Sequence, residues 1–154
     1  MRCRMIESKK IISVGHLLDG DIQNRSGPTL DVFNPASGSV SKQIQLATKE
    51  TVDEAITSAE AVFPEWRSTP PIKRARIMFR FKELLEKNTD KICQLIGEEH
   101  GKISHDAMGE LQRGIENVEY ACSAPEILKG EHSKNVGPEI DCWSELQPLG
   151  VVAG

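Results

Sequence analysis

The last seven residues, Pro148-Leu149-Gly150-Val151-Val152-Ala153-Gly154, form an apolar run with paired valines near its centre. Such a run reads as a parallel β-strand covered on both faces. A parallel strand needs a neighbour and a crossover connection, and both would have to come from further sequence. The expectation is therefore an α/β architecture of which this chain is the front part. How much chemistry falls before residue 154 then decides what the chain can do.

The chain has 154 residues, 38% of them apolar and 27% charged, enough to bury a moderate core and too apolar for a disordered chain. No apolar stretch reaches the length of a membrane span. The net charge of -4 leaves no broad surface for neutralising phosphates, so nucleic-acid partners are not expected. Lys73, Arg74, Arg76, Arg80 and Lys82 cluster, and read as the wet side of an amphipathic helix. Cys3, Cys93, Cys122 and Cys142 have no C-x-x-C spacing, which speaks against zinc and against a disulfide framework. The opening Met1-Arg2-Cys3-Arg4-Met5-Ile6-Glu7-Ser8 lacks the apolar centre of a secretory signal and is too short and acidic for a mitochondrial presequence. A reducing, cytoplasmic setting is the resulting expectation.

Residues 14–47 read as short strands in a small antiparallel meander. Asp19-Gly20 and Asn34-Pro35-Ala36-Ser37-Gly38 mark its turns, and Val40, Ile44 and Leu46 alternate with polar neighbours. At Thr48 the period changes to that of a helix, with Val52, Ala55, Ile56, Ala59 and Phe63 on one side and Pro64 as its terminator. Thr69 is the expected cap of a second helix with Pro70 at its first position, burying Ile77, Met78, Phe81, Leu84 and Leu85. A third helix spans about 88–100, buries Ile92, Leu95 and Ile96, and stops at Gly101. A fourth opens at Ser104, turns Met108, Leu111, Ile115, Val118 and Cys122 inward, and ends near Pro125. Residues 130–147 read as a projecting hairpin around Gly137-Pro138. The domain reading is an extension over 1–13, an α/β body over 14–129, the hairpin over 130–147, and the first central strand over 148–154.

Chemistry is sparse. His16, His100, His105 and His132 show no metal-ligand spacing, since Gly101 breaks the helix between His100 and His105. They read as exposed histidines near helix ends. There is no strand–G-x-G-x-x-G–helix unit, no phosphate loop and no G-x-S-x-G elbow. Gly109 and Gly114 lie inside a helix pattern, where close packing is their expected role. Cys93 and Cys122 read as small buried apolar side chains, without a base beside either. Arg113 lies about 200° round the fourth helix from Leu111, with Asn117 and Tyr120 following on its side. Pattern alone favours an ion pair with Glu110 or Glu116 on a wet surface. The alternative is a planar fork that grips a carboxylate.

Four stretches in order carry a resemblance. They are Phe33-Asn34-Pro35-Ala36, Ala61-Val62-Phe63-Pro64-Glu65-Trp66, Glu99-His100-Gly101-Lys102 and the final apolar run. Together they resemble the amino-terminal portion of the aldehyde dehydrogenases, over about 14–154. The stretch Gly109-Glu110-Leu111-Gln112-Arg113-Gly114-Ile115-Glu116-Asn117-Val118-Glu119-Tyr120-Ala121-Cys122-Ser123 is similar to the methylmalonate-semialdehyde branch, which acylates coenzyme A.

The resemblance implies oxidation of methylmalonate or malonate semialdehyde with NAD and coenzyme A, with a cysteine nucleophile and a glutamate base. It implies that Arg113 binds the substrate carboxylate and that the hairpin serves oligomerisation. The family's nucleophile, base and nucleotide loops have no matching positions in the sequence, so no catalytic and no cofactor-binding residue is expected in this chain. The chain is expected to be inactive alone, with NAD and coenzyme A belonging to the full-length family. The competing expectation is a non-catalytic interaction module that self-associates or docks on a full-length homologous subunit, since the final run and the hairpin both offer strand edges.

Overall fold

A computed structural model describes residues 11–154. Three short strands form a mixed sheet in the order β1-β5-β4, with β1 spanning Ile12–Val14, β4 Thr29–Phe33 and β5 Val40–Gln45. β4 and β5 are antiparallel, with a register shift between Val32 and Phe33. β1 is parallel to β5, Ile12 facing Lys42. A separate hairpin joins β2 (His16–Leu18) to β3 (Asp21–Gln23). The single antiparallel meander expected from the alternation is therefore corrected. Alternation reports which faces are wet, whereas strand direction depends on the connections. β1 also begins inside the stretch 1–13 expected to be an extension.

Both turn signals work as their residues dictate. Asp19 and Gly20 take φ of 53° and 85°, the left-handed pair that suits a two-residue hairpin. In the next turn the Asn34 carbonyl accepts the Gly38 N–H at 2.8 Å and its side-chain oxygen accepts the Ala36 N–H at 2.9 Å.

Helix α1 spans Lys49–Ser68, and Thr51 N–H donates to the Thr48 hydroxyl at 3.3 Å. Pro64 lies inside α1 instead of ending it. A proline removes only the one N–H that would reach the Glu60 carbonyl, so the helix continues past it, and at its end the Ser68 and Thr69 hydroxyls donate to the Pro64 and Glu65 carbonyls at 2.9 to 3.0 Å. Thr69 is thus the C-cap of α1, not the N-cap of the next helix. α2 begins at Pro71, runs to Lys87, and has Pro70 as its cap with no side-chain hydrogen bond.

α3 spans Thr89–His100 and closes on Gly101, whose φ of 82° and N–H to Gly97 carbonyl bond satisfy the last turn. A Cβ at Gly101 would meet Pro35 Cγ at 3.0 Å, so the sheet's turn rests against the end of α3. α4 spans Ser104–Cys122 and a short α5 Ala124–Ile127.

The core lies where α4 meets α2 and α3. Cys93, Ala107, Leu111 and Ile115 are buried, with Leu85, Ile92 and Ile96 packed against them. The inward face of α4 uses Ala107 where Met108 was expected, and Met108 is exposed. On α2 the stripe facing the core is Ala75, Met78, Lys82 and Leu85, while Ile77, Phe81 and Leu84 are exposed. On α3, Cys93 is buried and Leu95 exposed. These corrections share one cause. At the closest approaches the small side chains Ala75, Cys93 and Ala107 are the buried ones, and larger groups such as Met78, Leu85, Ile92 and Ile96 pack beside them half-buried. Lys82 pairs with Glu86 one turn along α2 at 2.7 Å and crosses the α2–α4 seam to Glu119 at 3.1 Å.

The expected hairpin is present, with β6 (His132–Gly137) antiparallel to β7 (Ile140–Trp143) and Glu139 at φ 59° in its turn. The run 148–154 pairs with no strand among the described residues. A strand is defined by its ladder partner, and none of the described residues supplies one. No helix among the described residues is long and apolar enough to cross a membrane.

Truncating Leu111 removes the largest side chain near the centre of this core. Leu111→Ala should destabilise the chain by about 2–4 kcal/mol. Leu149→Ala, at a side chain that is 96% exposed, should shift stability by less than about 0.5 kcal/mol. Urea unfolding followed by far-ultraviolet circular dichroism distinguishes the two.

Candidate functional site

α4 is amphipathic, and burial of Ala107, Leu111, Ile115 and Cys122 fixes its rotation. That rotation sends Arg113 outward, into a surface recess of about 400 Å³ lined by Lys102, His105, Asp106, Gly109, Glu110 and Arg113. Lys102 comes from the loop after Gly101, and the other five lie on α4.

The charges in the recess are already partly matched. Lys102 Nζ donates to Glu110. His105 Nδ1 lies 3.7 Å from Asp106, a pair that is ionic only when the imidazole is protonated. Arg113 enters no ion pair and no side-chain hydrogen bond among the described residues. The surface pair with Glu110 that the helical spacing favoured does not form, because Lys102 holds that carboxylate, and none forms with Glu116. Two fixed cations and two carboxylates leave little net field in the recess. Selectivity for an anion would then come from the directional fork of Arg113.

Asn117 does not extend the grip. Its side-chain amide donates back to the Arg113 carbonyl at 2.8 Å. Tyr120 stands 69% exposed, clear of the recess. Gly109 and Gly114 were expected to permit close packing, but a Cβ at either meets nothing within 4 Å. Instead Gly109 forms part of the recess wall one turn before Arg113. The sequence carried a signal for this in the i, i+4, i+8 stripe of His105, Gly109 and Arg113.

The other candidates separate. Cys93 and Cys122 are buried free thiols and Cys142 is an exposed one, while Cys3 lies outside the described residues. His16 sits half-buried on β2 and shares a recess with Thr48 and Thr51 at the start of α1, while His132 starts β6. Among the described residues no group of His, Cys, Asp or Glu could hold a metal.

The sequence pattern of the aldehyde dehydrogenase family matches residues 22–154. The chain belongs to that family. It is 58% identical to the malonate-semialdehyde dehydrogenase of Pseudomonas aeruginosa over 139 residues, covering 90% of this chain and 28% of that protein. Its fold superposes on the crystal structure of a methylmalonate-semialdehyde dehydrogenase from Oceanimonas doudoroffii with a TM-score of 0.87 at 64% identity, covering 90% of this chain and 28% of that one. A Sinorhizobium meliloti protein assigned to the same activity and complexed with NAD is matched at 36% identity and a TM-score of 0.86, over 91% and 29% of the two chains. This aldehyde dehydrogenase chain thus spans little more than a quarter of the length of its relatives, an amino-terminal portion.

The polar recess carries a pH signature. The hydrogen bond from Lys102, then its charge, and then the charges of His100 and Arg113 hold the Glu110 carboxyl below its ordinary value of 4.5. A lowered native value means that the pair's contribution is complete above that ordinary value and is lost as pH falls through the native one. Carbon-13 NMR titration should place the Glu110 midpoint below that of an exposed glutamate. Lys102→Met should raise it towards the ordinary range.

Proposed function

We propose that this chain is the substrate-orienting amino-terminal part of a coenzyme-A-acylating (methyl)malonate-semialdehyde dehydrogenase and is inactive by itself. One observation carries the reading. Arg113 presents an unpaired guanidinium to an open recess, in a chain 58% identical to a malonate-semialdehyde dehydrogenase.

A semialdehyde of this class carries a carboxylate at one end and the reacting carbonyl at the other. Arg113 holds the carboxylate through two parallel N–H bonds, which fixes where the carbonyl points. Gly109 leaves room for the anion to approach, and Lys102 keeps Glu110 away from the guanidinium. The family's cofactors supply hydride acceptance and thioester release when bound to the complete enzyme. This chain contributes position, and its residues make no bond to the carbonyl carbon.

Purified chain mixed with malonate semialdehyde, NAD and coenzyme A should form no NADH above background. The positive test is a chimera in which this chain replaces the matching segment of the Pseudomonas aeruginosa enzyme. Arg113→Ala in that chimera should lower kcat/KM for malonate semialdehyde by about 10- to 100-fold, the loss of a charge-assisted pair. Propanal, which lacks the carboxylate, should be oxidised at nearly the same rate by both. Equal losses on the two aldehydes would show that Arg113 does not bind the carboxylate.

A further inference from the structure

Lys102, His105, Asp106 and Glu110 share the recess with Arg113. Two of them are carboxylates, and both lie on the arginine's own helix. Glu110 precedes Arg113 by one turn of α4 and Asp106 by two. A carboxylate at i with a cation at i+3 makes a favourable helical pair when the acid comes first. Glu110 stands in that order to Arg113, so it has a partner within reach that it does not use. Glu116 follows Arg113 and stands in the reverse, less favourable order.

Lys102 is what holds Glu110 elsewhere. Gly101 turns the chain off the end of α3 in the left-handed region, and the next residue's Nζ donates to Glu110 Oε2. The lysine side chain is 30% exposed and the glutamate 52%, so the glutamate is the arm with room to swing. His100 at the end of α3 and Arg113 are the other cations acting on Glu110, while Asp106, one turn before it, repels it. His105 stands beside Asp106 and is charged only when protonated. Without Lys102, the one permanently charged cation left in the recess is Arg113. An internal carboxylate on that guanidinium would compete with the substrate's at an effective concentration fixed by the helix. An exposed helical pair closes the guanidinium about half of the time or more. Apparent affinity falls with the fraction left open, about two- to threefold.

We propose that Glu110 is an internal competitor for the substrate-binding guanidinium, and that Lys102 is the positioning residue that keeps it off and so sets the site's selectivity for a carboxylate. The proposal rests on the reading of Arg113 as the carboxylate anchor. It adds a residue that touches no substrate and acts through Glu110 alone.

One arm of the test needs no substrate. Carbon-13 NMR on the full chain follows Glu110 through a double-mutant cycle of Lys102→Met and Arg113→Ala. With Lys102 present, Arg113→Ala should move the Glu110 midpoint up only slightly, since Arg113 is the weakest of the charges that lower it. In Lys102→Met the same substitution should move it clearly further, because Arg113 has then become the glutamate's partner. Equal shifts in the two backgrounds overturn the proposal. The second arm uses the chimera and reads the ratio of kcat/KM for malonate semialdehyde to that for propanal. Lys102→Met should lower this ratio about two- to threefold. Adding Glu110→Gln should restore it, and adding Glu116→Gln should not. An unchanged ratio in Lys102→Met, or a fall that Glu110→Gln leaves in place, overturns the proposal. The Arg113 reading fails separately, on a ratio that Arg113→Ala alone leaves unchanged.

Discussion

Ala107 is fully buried where α4 crosses its neighbours, and the rest of the helical layer is arranged around that contact. Its small side chain lets α2 and α3 come close to α4, where Leu111, Ile115 and Cys93 are buried with it. The rotation of α4 is fixed by the same contact. Because Leu111 points in, Arg113 points out. Because Gly101 ends α3 in the left-handed region, Lys102 is delivered to the side of α4 where it meets Glu110. The recess is thus a by-product of core packing.

Polar contacts tie the other elements to this layer. Lys42 on β5 donates to Glu99 on α3 at 2.5 Å, and Arg25 reaches Glu54 on α1 and Gln23 on β3. Exposed pairs of this kind contribute little individually. They orient elements more than they stabilise them, which suits a molecule whose sheet and first helix keep broad apolar faces in water. Burial is thus uneven among the described residues, with a sealed α2–α3–α4 core and a largely bare α1.

The sequence was most legible where one residue's local conformation is decisive. Gly101, Asp19-Gly20 and Asn34 to Gly38 each did what backbone sterics require, and the hairpin around Gly137-Pro138 followed. It was least legible where the outcome depends on neighbours. Pro64 did not end α1, since it removes a single ladder bond, and the helix closes one turn later where Ser68 and Thr69 donate to the Pro64 and Glu65 carbonyls. On α2, Met78 and Leu85 of the expected stripe face the core, but Ile77, Phe81 and Leu84 do not, because the small Ala75 sets the face that meets α4. At the recess, Arg113 was visible as an off-stripe arginine. Its lack of a partner was not, since that depended on Lys102 taking Glu110 from across a loop.

By itself the sequence determined the order of helices and turns, the small polar hairpin and the family, because these depend on local sterics, on periodicity and on short ordered motifs. Tertiary structure decided strand direction, which small residues form the core, and which charge is left unpaired. The final apolar run shows the division most clearly. Its composition makes it a strand in waiting, but a ladder needs a second backbone, and the described residues do not provide one beside Val151 and Val152.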